Sequence, residues 1–244
     1  MFTQNYKIAD KIVTVSSIYE KVHRYCQDYQ TEEPAEYSVT ITERDIEFER
    51  EKSRKTDLKE HRRPREFPPE YLEELAVYRK ICEKMPDYHT ILFHGSAIAV
   101  DGQGYLFTAK SGTGKSTHTR LWRELLGEKA VMVNDDKPLI RFENDTVTVY
   151  GTPYNGKHRL GCNMSVPLKA ICILERGEQN QIRQISKTDA YTMMLQQVYH
   201  PEQMEAMKKT LSLIDSIASH VGLYRLKCNM ELSAAEISYN AMKG

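Results

Sequence analysis

The stretch Tyr105-Leu-Phe-Thr-Ala-Lys-Ser-Gly-Thr-Gly-Lys-Ser-Thr-His118 constrains this chain more than any other. A short apolar run at 105–108 leads directly into a glycine-containing loop. A helical pattern follows, with Leu121, Trp122, Leu125 and Leu126 on one face and Gly127 as a stop signal. Gly112 and Gly114 admit backbone conformations that other residues resist, so successive N–H groups can turn inward around a phosphate chain at the positive end of the helix. In such a loop Lys115 reaches the β- and γ-phosphates, and Ser116 sets its hydroxyl on Mg²⁺. The usual pattern is G-x-x-x-x-G-K-[ST], and Ala109 stands here at its first glycine. An ordinary glycine turn is the alternative, but Gly-Lys-Ser-Thr between a strand and a helix is hard to obtain by accident. The expected cofactors are therefore ATP and Mg²⁺, held by Ser111, Gly112, Thr113, Gly114, Lys115, Ser116 and Thr117.

Composition removes other classes. Lys plus Arg number 34 and Asp plus Glu number 34, so no global field draws the chain toward nucleic acid or a membrane surface. No apolar run approaches the roughly 20 residues that span a bilayer. The five cysteines, Cys26, Cys82, Cys162, Cys172 and Cys228, lack C-x-x-C spacing, and the first residues lack a basic-then-apolar leader. Reduced thiols and a cytoplasmic location are the expectation.

Residues 1–87 read as an α+β region. Residues 8–15 suit a strand, Ile18, Val22, Tyr25, Cys26 and Tyr29 recur at helical spacing, and 37–42 and 46–48 alternate as two strands about a turn. The run 49–66 is almost wholly charged and reads as a solvated loop, or as a mobile arm whose arginines meet a substrate or a neighbouring subunit. Pro68 and Pro69 then open a helix carrying Leu72, Leu75, Ala76 and Ile81.

Residues 88–244 read as the core. Apolar segments at 90–93 and 97–100, with a hairpin signal at Asp101-Gly102-Gln103-Gly104, place an antiparallel pair ahead of the phosphate loop. A buried-type strand at 130–133 ends in Asn134-Asp135-Asp136, a hairpin turns over Asn144-Asp145, and a long strand covers 168–174. Two helices, a late strand at 223–226 and a terminal helix opened by a Ser233-Ala-Ala-Glu236 capping box complete the pattern.

Three groups outside the loop carry chemistry. A phosphate-loop enzyme needs a carboxylate at the end of the next buried strand to hold Mg²⁺ opposite Ser116, and the Asp135-Asp136 pair stands there. Consecutive strand residues point to opposite faces, so both can serve one site only if the chain turns, which Lys137-Pro138 favours. A second carboxylate could then take the proton from an attacking hydroxyl. His94, just ahead of the hairpin, is a candidate for phosphate, metal or base. Lys157, His158 and Arg159 lie in a Gly/Pro-rich loop, where cations could bind a transferred phosphoryl group or simply face solvent.

His94-Gly95, then Ser111-Gly-Thr-Gly-Lys-Ser116 after a hairpin, then Asn134-Asp-Asp136, in that order and with short spacings, resemble the bacterial HPr kinase/phosphorylase family and the related nucleotide core of ATP-dependent phosphoenolpyruvate carboxykinases. The resemblance implies an α/β fold with the P-loop in a mixed, partly antiparallel sheet flanked by helices, beside a small α+β N-terminal part. It implies a Mg²⁺-dependent kinase acting on a hydroxyl-bearing substrate, whether peptide, protein or small metabolite, in a family that tends to self-assemble. Residue by residue, it makes Lys115 the phosphate ligand, Ser116 and Asp136 the metal ligands, Asp135 the base, and His94 a positioning group; the roles of the two aspartates could be exchanged. A basic residue from a flexible loop is also implied, with Lys157 and Arg159 as candidates. The family's HPr-recognising Glu-Ile-Arg-Gly-Leu-Gly-type run is absent, which argues against HPr as substrate. The chain is also much shorter than a carboxykinase. A nucleotide-sensing module without transfer, and a carboxykinase-like or phosphorolytic enzyme, are the alternatives.

Overall fold

In the computed structural model, which describes residues 1–156 and 158–244, the chain forms two units, Met1–Glu83 and Lys84–Gly244. The first holds a three-stranded sheet in the order β1 (Phe2–Ile8), β2 (Lys11–Ser17), β3 (Tyr37–Thr40), with a short helix α1 (Lys21–Tyr25) between β2 and β3. The single strand expected over 8–15 is instead split by a hairpin. Ala9 and Asp10 turn with positive φ of 48° and 56°, the geometry of a two-residue turn that matches the twist of paired strands.

The strand expected at 46–48 is also corrected, because a helix α2 (Glu43–Lys59) covers it. Two alternating apolar residues are too few to fix a period, and the decisive signal lies just upstream. Asp45 Oδ2 accepts from the Thr42 backbone N–H at 2.9 Å, which closes a capping box and commits the chain to helix. The charged run 49–66 is therefore helical to Lys59. Its remainder folds back onto Asp57, whose buried carboxylate accepts from the Arg65 backbone N–H at 3.0 Å and from Arg65 Nη2 at 2.9 Å. These bonds hold the Asp57 carboxyl down at about 2. Helix α3 (Pro69–Lys84) starts at the proline pair and buries Leu72, Ala76, Val77 and Ile81. Its fully buried Glu73 accepts from the N–H groups of Ile18 and Tyr19, at 2.6 and 2.9 Å, which ties α3 to the end of β2.

The second unit is a nine-stranded mixed sheet flanked by helices. Its strands are β4 (Thr90–Leu92), β5 (Ser96–Val100), β6 (Gln103–Thr108), β7 (Ala130–Asn134), β8 (Leu139–Glu143), β9 (Thr146–Tyr150), β10 (Ser165–Arg176), β11 (Gln181–Gln184) and β12 (Gly222–Cys228). The order is β4-β8-β9-β10-β6-β5-β7, with β12 pairing β10 and β11. The helices are α4 (Lys115–Leu126), α5 (Lys187–Gln197), α6 (Met204–His220) and α7 (Leu232–Met242). The fold is thus mixed α/β, and β6 runs antiparallel to β5 on one side and parallel to β10 on the other.

Long central β10 shows why two helical layers form. Ala170, Cys172 and Leu174 join a core with Phe107, Leu121, Trp122 and Ala235, on the α4 and α7 side. Ile171 and Ile173 join a second core with Met194, Ile214 and Ile217, on the α5 and α6 side. Alternate residues of a strand face opposite ways, and here both faces are apolar, so both need a cover. The terminal helix departs in one detail. It begins at Leu232 with Glu231 as N-cap, so Ser233 lies inside the first turn and the expected Ser233 capping box does not form; the Ser233 hydroxyl accepts from Asn180 Nδ2 at 2.9 Å. Among the described residues, no helix is long and apolar enough to cross a membrane.

Candidate active site

The candidate phosphate loop leaves β6 at Thr108 and enters α4 at Lys115. Gly112 and Gly114 adopt φ of 76° and 122°, a region that L residues rarely visit, and a Cβ added at Gly112 would meet nothing within 4 Å. The requirement for glycine there comes from backbone geometry, with open space left beside it. Ala109 is buried in the α4 core and is not among the residues with positive φ. Its methyl group packs inward, so the missing first glycine of the motif does not obstruct the loop. His118 N–H donates to Gly114 O at 2.9 Å, starting α4 at once and directing its free N–H groups at the loop.

Helix α4 is anchored through its buried face. Trp122 Nε1 donates to Ser238 Oγ of α7 at 2.8 Å, and His118 Nε2 lies 3.0 Å from the same oxygen. Ser238 Oγ itself donates to Ala235 O, so it is an acceptor for both rings and Nε2 carries the His118 proton. His118 Nδ1 is buried without a partner, and burial lowers the His118 pKa to about 4. Because that value lies below the ordinary 6.5, the unfolded chain takes up the proton first. The resulting stability is complete at neutral pH and is lost as pH falls from about 6.5 toward 4. Chemical denaturation should show about 2 kcal/mol lost between pH 7 and pH 5 in the wild type that His118→Phe does not lose. Equal losses in both proteins would contradict the assignment.

The carboxylate pair is arranged by its neighbour. Buried Asn134 ends β7, and its Oδ1 accepts from the N–H groups of Asp136 and Lys137, at 2.9 and 2.6 Å. Its Nδ2 donates to Thr152 Oγ1 at 3.0 Å. This side-chain turn bends the chain directly after the strand and lets consecutive aspartates take different surroundings. Asp135 is buried under the loop at 151–156, with Oδ1 accepting from Gly156 N–H at 2.6 Å. A Cβ on Gly156 would sit 3.0 Å from Asp135 Oδ2, so any larger residue there would make the carboxylate give by a few tenths of an ångström.

Asp136 is half-buried and faces cations. His94 Nε2 lies 3.3 Å from its Oδ1. Burial by itself would raise the Asp136 carboxyl, but the His94 hydrogen bond and the charges of Lys137, His94 and Lys115 outweigh it and hold the carboxyl below its usual range. Burial likewise lowers the Lys115 ammonium, opposed in part by Asp136. Lys115 and Asp136 therefore sense each other's charge across the site.

Two fastening residues have no signature in the sequence. Gln197, at the end of α5, accepts the His94 backbone N–H through its own carbonyl at 2.7 Å, and its Oε1 lies 3.0 Å from His94 Nδ1. Thr108 Oγ1 donates to His94 O at 3.0 Å, so both the ring and the backbone of His94 are held. Arg176, at the end of β10, donates from Nη2 to Gly112 O at 2.6 Å and pins the phosphate loop to the sheet. Ser111, Thr113, Ser116 and Thr117 all lie on the loop or the first turn of α4, as the motif requires. Arg159 is exposed, with φ of 47° and its N–H donating to Gly156 O at 3.2 Å, so it belongs to the loop that covers Asp135. Lys157 lies outside the described residues.

The donor set fits a loosely held hard cation. Among the described residues, no three His, Cys, Asp or Glu side chains converge on a metal position. One hydroxyl from Ser116 and one ionised carboxylate from Asp136 suit Mg²⁺, which keeps several waters and takes its other ligands from phosphates.

Comparison with known proteins gives one assignment by sequence. No curated protein matches the chain. The chain is similar in structure to the Hpr(Ser) kinase/phosphatase from Coxiella burnetii, with 11% identity and a TM-score of 0.34 over 63% of this chain and 99% of that chain. A family model described as SynChlorMet cassette protein ScmC matches residues 70–233, and the chain therefore belongs to the ScmC family.

Proposed function

We propose that the protein is a Mg²⁺-dependent kinase that transfers the γ-phosphoryl group of ATP to a serine-like hydroxyl of a peptide, protein or small metabolite. The observation that carries this reading is the splayed aspartate pair. Asp136 faces Lys115 and His94, on the phosphate side. Asp135 stands apart from it, under the glycine loop with its Oδ1 held by Gly156 N–H. A nucleotide-binding module needs one carboxylate for a metal, and the second, differently housed carboxylate is what a transfer reaction adds. The motif order His94-Gly95, P-loop, Asn134-Asp-Asp136 and the P-loop's place in a mixed sheet support an HPr kinase-like or carboxykinase-like core.

In this reading the N–H groups of the loop and Lys115 hold the phosphate chain, while Ser116 and Asp136 are the ligands for Mg²⁺. When bound, the ion neutralises charge on the terminal phosphates. Asp135 accepts the proton of the acceptor hydroxyl, its carboxylate held in place by the Gly156 N–H on Oδ1. The hydroxyl oxygen forms its bond to γ-phosphorus as the bond to the β,γ-bridging oxygen breaks, and ADP leaves with that electron pair. His94, clamped by Gln197 and Thr108, keeps Asp136 in place, and Arg159 approaches from the loop over Asp135. Catalysis is positioning and charge neutralisation, with little covalent work for the protein.

An enzyme-coupled ADP-release assay tests the reading. With MgATP alone the rate should stay near background, and adding a desalted extract of peptides and small metabolites should raise it at least tenfold by order of magnitude. A rate indifferent to every extract fraction would favour a nucleotide sensor.

A further inference from the structure

The β11 edge of the large sheet carries charge that the candidate active site does not use. Beside it lies a cavity of about 660 Å³, lined by Glu175 of β10, Gln181, Ile182 and Arg183 of β11, and Arg225 and Lys227 of β12. Arg183 and Arg225 stand directly opposite each other in the β11–β12 register, and Lys227 stands opposite Gln181. Like charges at opposed positions of an antiparallel pair repel. Arg225 is neutralised within the protein, donating from Nη1 to Glu175 Oε1 at 2.5 Å and from Nη2 to Asp189 O at 3.2 Å. Among the described residues, the exposed Arg183 and Lys227 make no side-chain hydrogen bond and no ion pair. Asp189 feels the charges of Arg183 and Arg225 from outside the lining, and its carboxylate accepts from Ser186 Oγ at 2.8 Å. Three cations thus face one carboxylate in this cavity, in a chain whose formal net charge is zero.

Strand β11 also ends the sheet on this side. Among the described residues its strand partner is β12 alone, and Gln181, Arg183 and Gln184 are exposed. An edge strand offers its backbone N–H and C=O groups to an extended peptide, and the side chains beside it select the charge of that peptide. A small anion would use the cations and leave the edge idle, whereas an acidic extended segment uses both. Helix α5 sets the distance to the reacting groups. Arg225 holds its first turn at Asp189, and Gln197 at its other end holds His94. From Asp189 to Gln197 the helix rises about 12 Å. Strand β11 stands a further strand spacing of about 5 Å beyond β12. At about 3.4 Å per residue, roughly five residues of extended chain cover that span.

We propose that the β11 edge docks an acidic, extended segment of a peptide or protein acceptor, at least about five residues from the hydroxyl that receives the phosphoryl group. Its role as a substrate anchor rests on the kinase reading above, whereas binding itself does not, and the test reads the two separately.

The probes are synthetic peptides with a single serine and a glutamate-rich block about six residues from it, on the N-terminal side in one and the C-terminal side in the other. A lysine-rich peptide of the same length and citrate serve as comparisons. Fluorescence anisotropy without nucleotide reads binding to the full chain, hydrogen–deuterium exchange reads the backbone at 181–184, and ADP release with MgATP reads transfer. At least one acidic peptide should bind and the lysine-rich peptide should not. The double charge reversal Arg183→Glu with Lys227→Glu, at two exposed positions, should weaken binding on the order of tenfold. The acidic peptide, and not citrate, should slow exchange over 181–184 several-fold. For transfer to the same peptide, the double variant should raise KM on the order of tenfold and leave kcat unchanged. Absence of binding by both acidic peptides, binding that the charge reversal leaves unchanged, or equal protection by citrate would overturn the docking site. Phosphorylation with the same KM in the variant would also overturn it and leave the kinase reading standing. A peptide that binds through Arg183 and Lys227 but is never phosphorylated would keep the docking surface and count against the kinase reading.

Discussion

Asp135→Asn is expected to reduce phosphoryl transfer by about 10³-fold, within the range that a positioned general base contributes, while ATP affinity changes by less than about threefold. The amide has the shape of the carboxylate, and its oxygen can still accept the Gly156 N–H that meets Oδ1 at 2.6 Å in the wild type. What is lost is the capacity to take a proton. Turnover by ADP release and affinity by calorimetry separate the two effects. Transfer retained in Asp135→Asn and lost in Asp136→Asn would exchange the two roles.

Lys115→Met should act on the other quantity. The ammonium is half-buried at the start of α4, its pKa lowered by burial and supported by Asp136. Removing a charge-assisted bond to the terminal phosphates should weaken ATP binding by about 100-fold. A ligand at 100 times its Kd stabilises the folded state by about 2.7 kcal/mol, so the wild type should show a clear rise in Tm with MgATP and the variant little or none. A full ATP-induced rise in Lys115→Met would place the phosphates elsewhere.

The glycine loop and its flanking strand and helix were legible in the sequence because their signals are local. Seven consecutive residues, from Ser111 to Thr117, supply the glycines, cation and hydroxyl, and the flanking strand and helix announce themselves by periodicity. The aspartate pair was legible as a pair but not as two environments. Those depend on Asn134 bonding to Thr152 and on Gly156 reaching back to Asp135, contacts that span 18 and 21 residues. Gln197 and Arg176 had no local signal at all, since their partners His94 and Gly112 stand 103 and 64 residues away. In the first unit the misreadings were of the opposite kind. At Ala9-Asp10 a two-residue turn divides in two what reads as one strand, and at Thr42-Asp45 a cap overrides the weak alternation that suggests a strand.

The residue set also separates what holds the site from what reacts in it. Thr108, Asn134, Thr152, Gln197 and Arg176 each hold a backbone segment that carries a candidate reacting group. Substitutions there should disturb geometry, whereas substitutions at Lys115, Asp135 and Asp136 should change chemistry on an otherwise intact frame.

The most direct test of phosphoryl transfer to a hydroxyl is a ³¹P NMR time course of the protein with MgATP and a desalted extract of peptides and small metabolites, run beside Asp135→Asn. The account predicts a new phosphomonoester resonance that grows as the γ-phosphate signal falls, requires the extract, and is absent with the variant. ATP that stays intact in every mixture, or is converted only to inorganic phosphate, would contradict it.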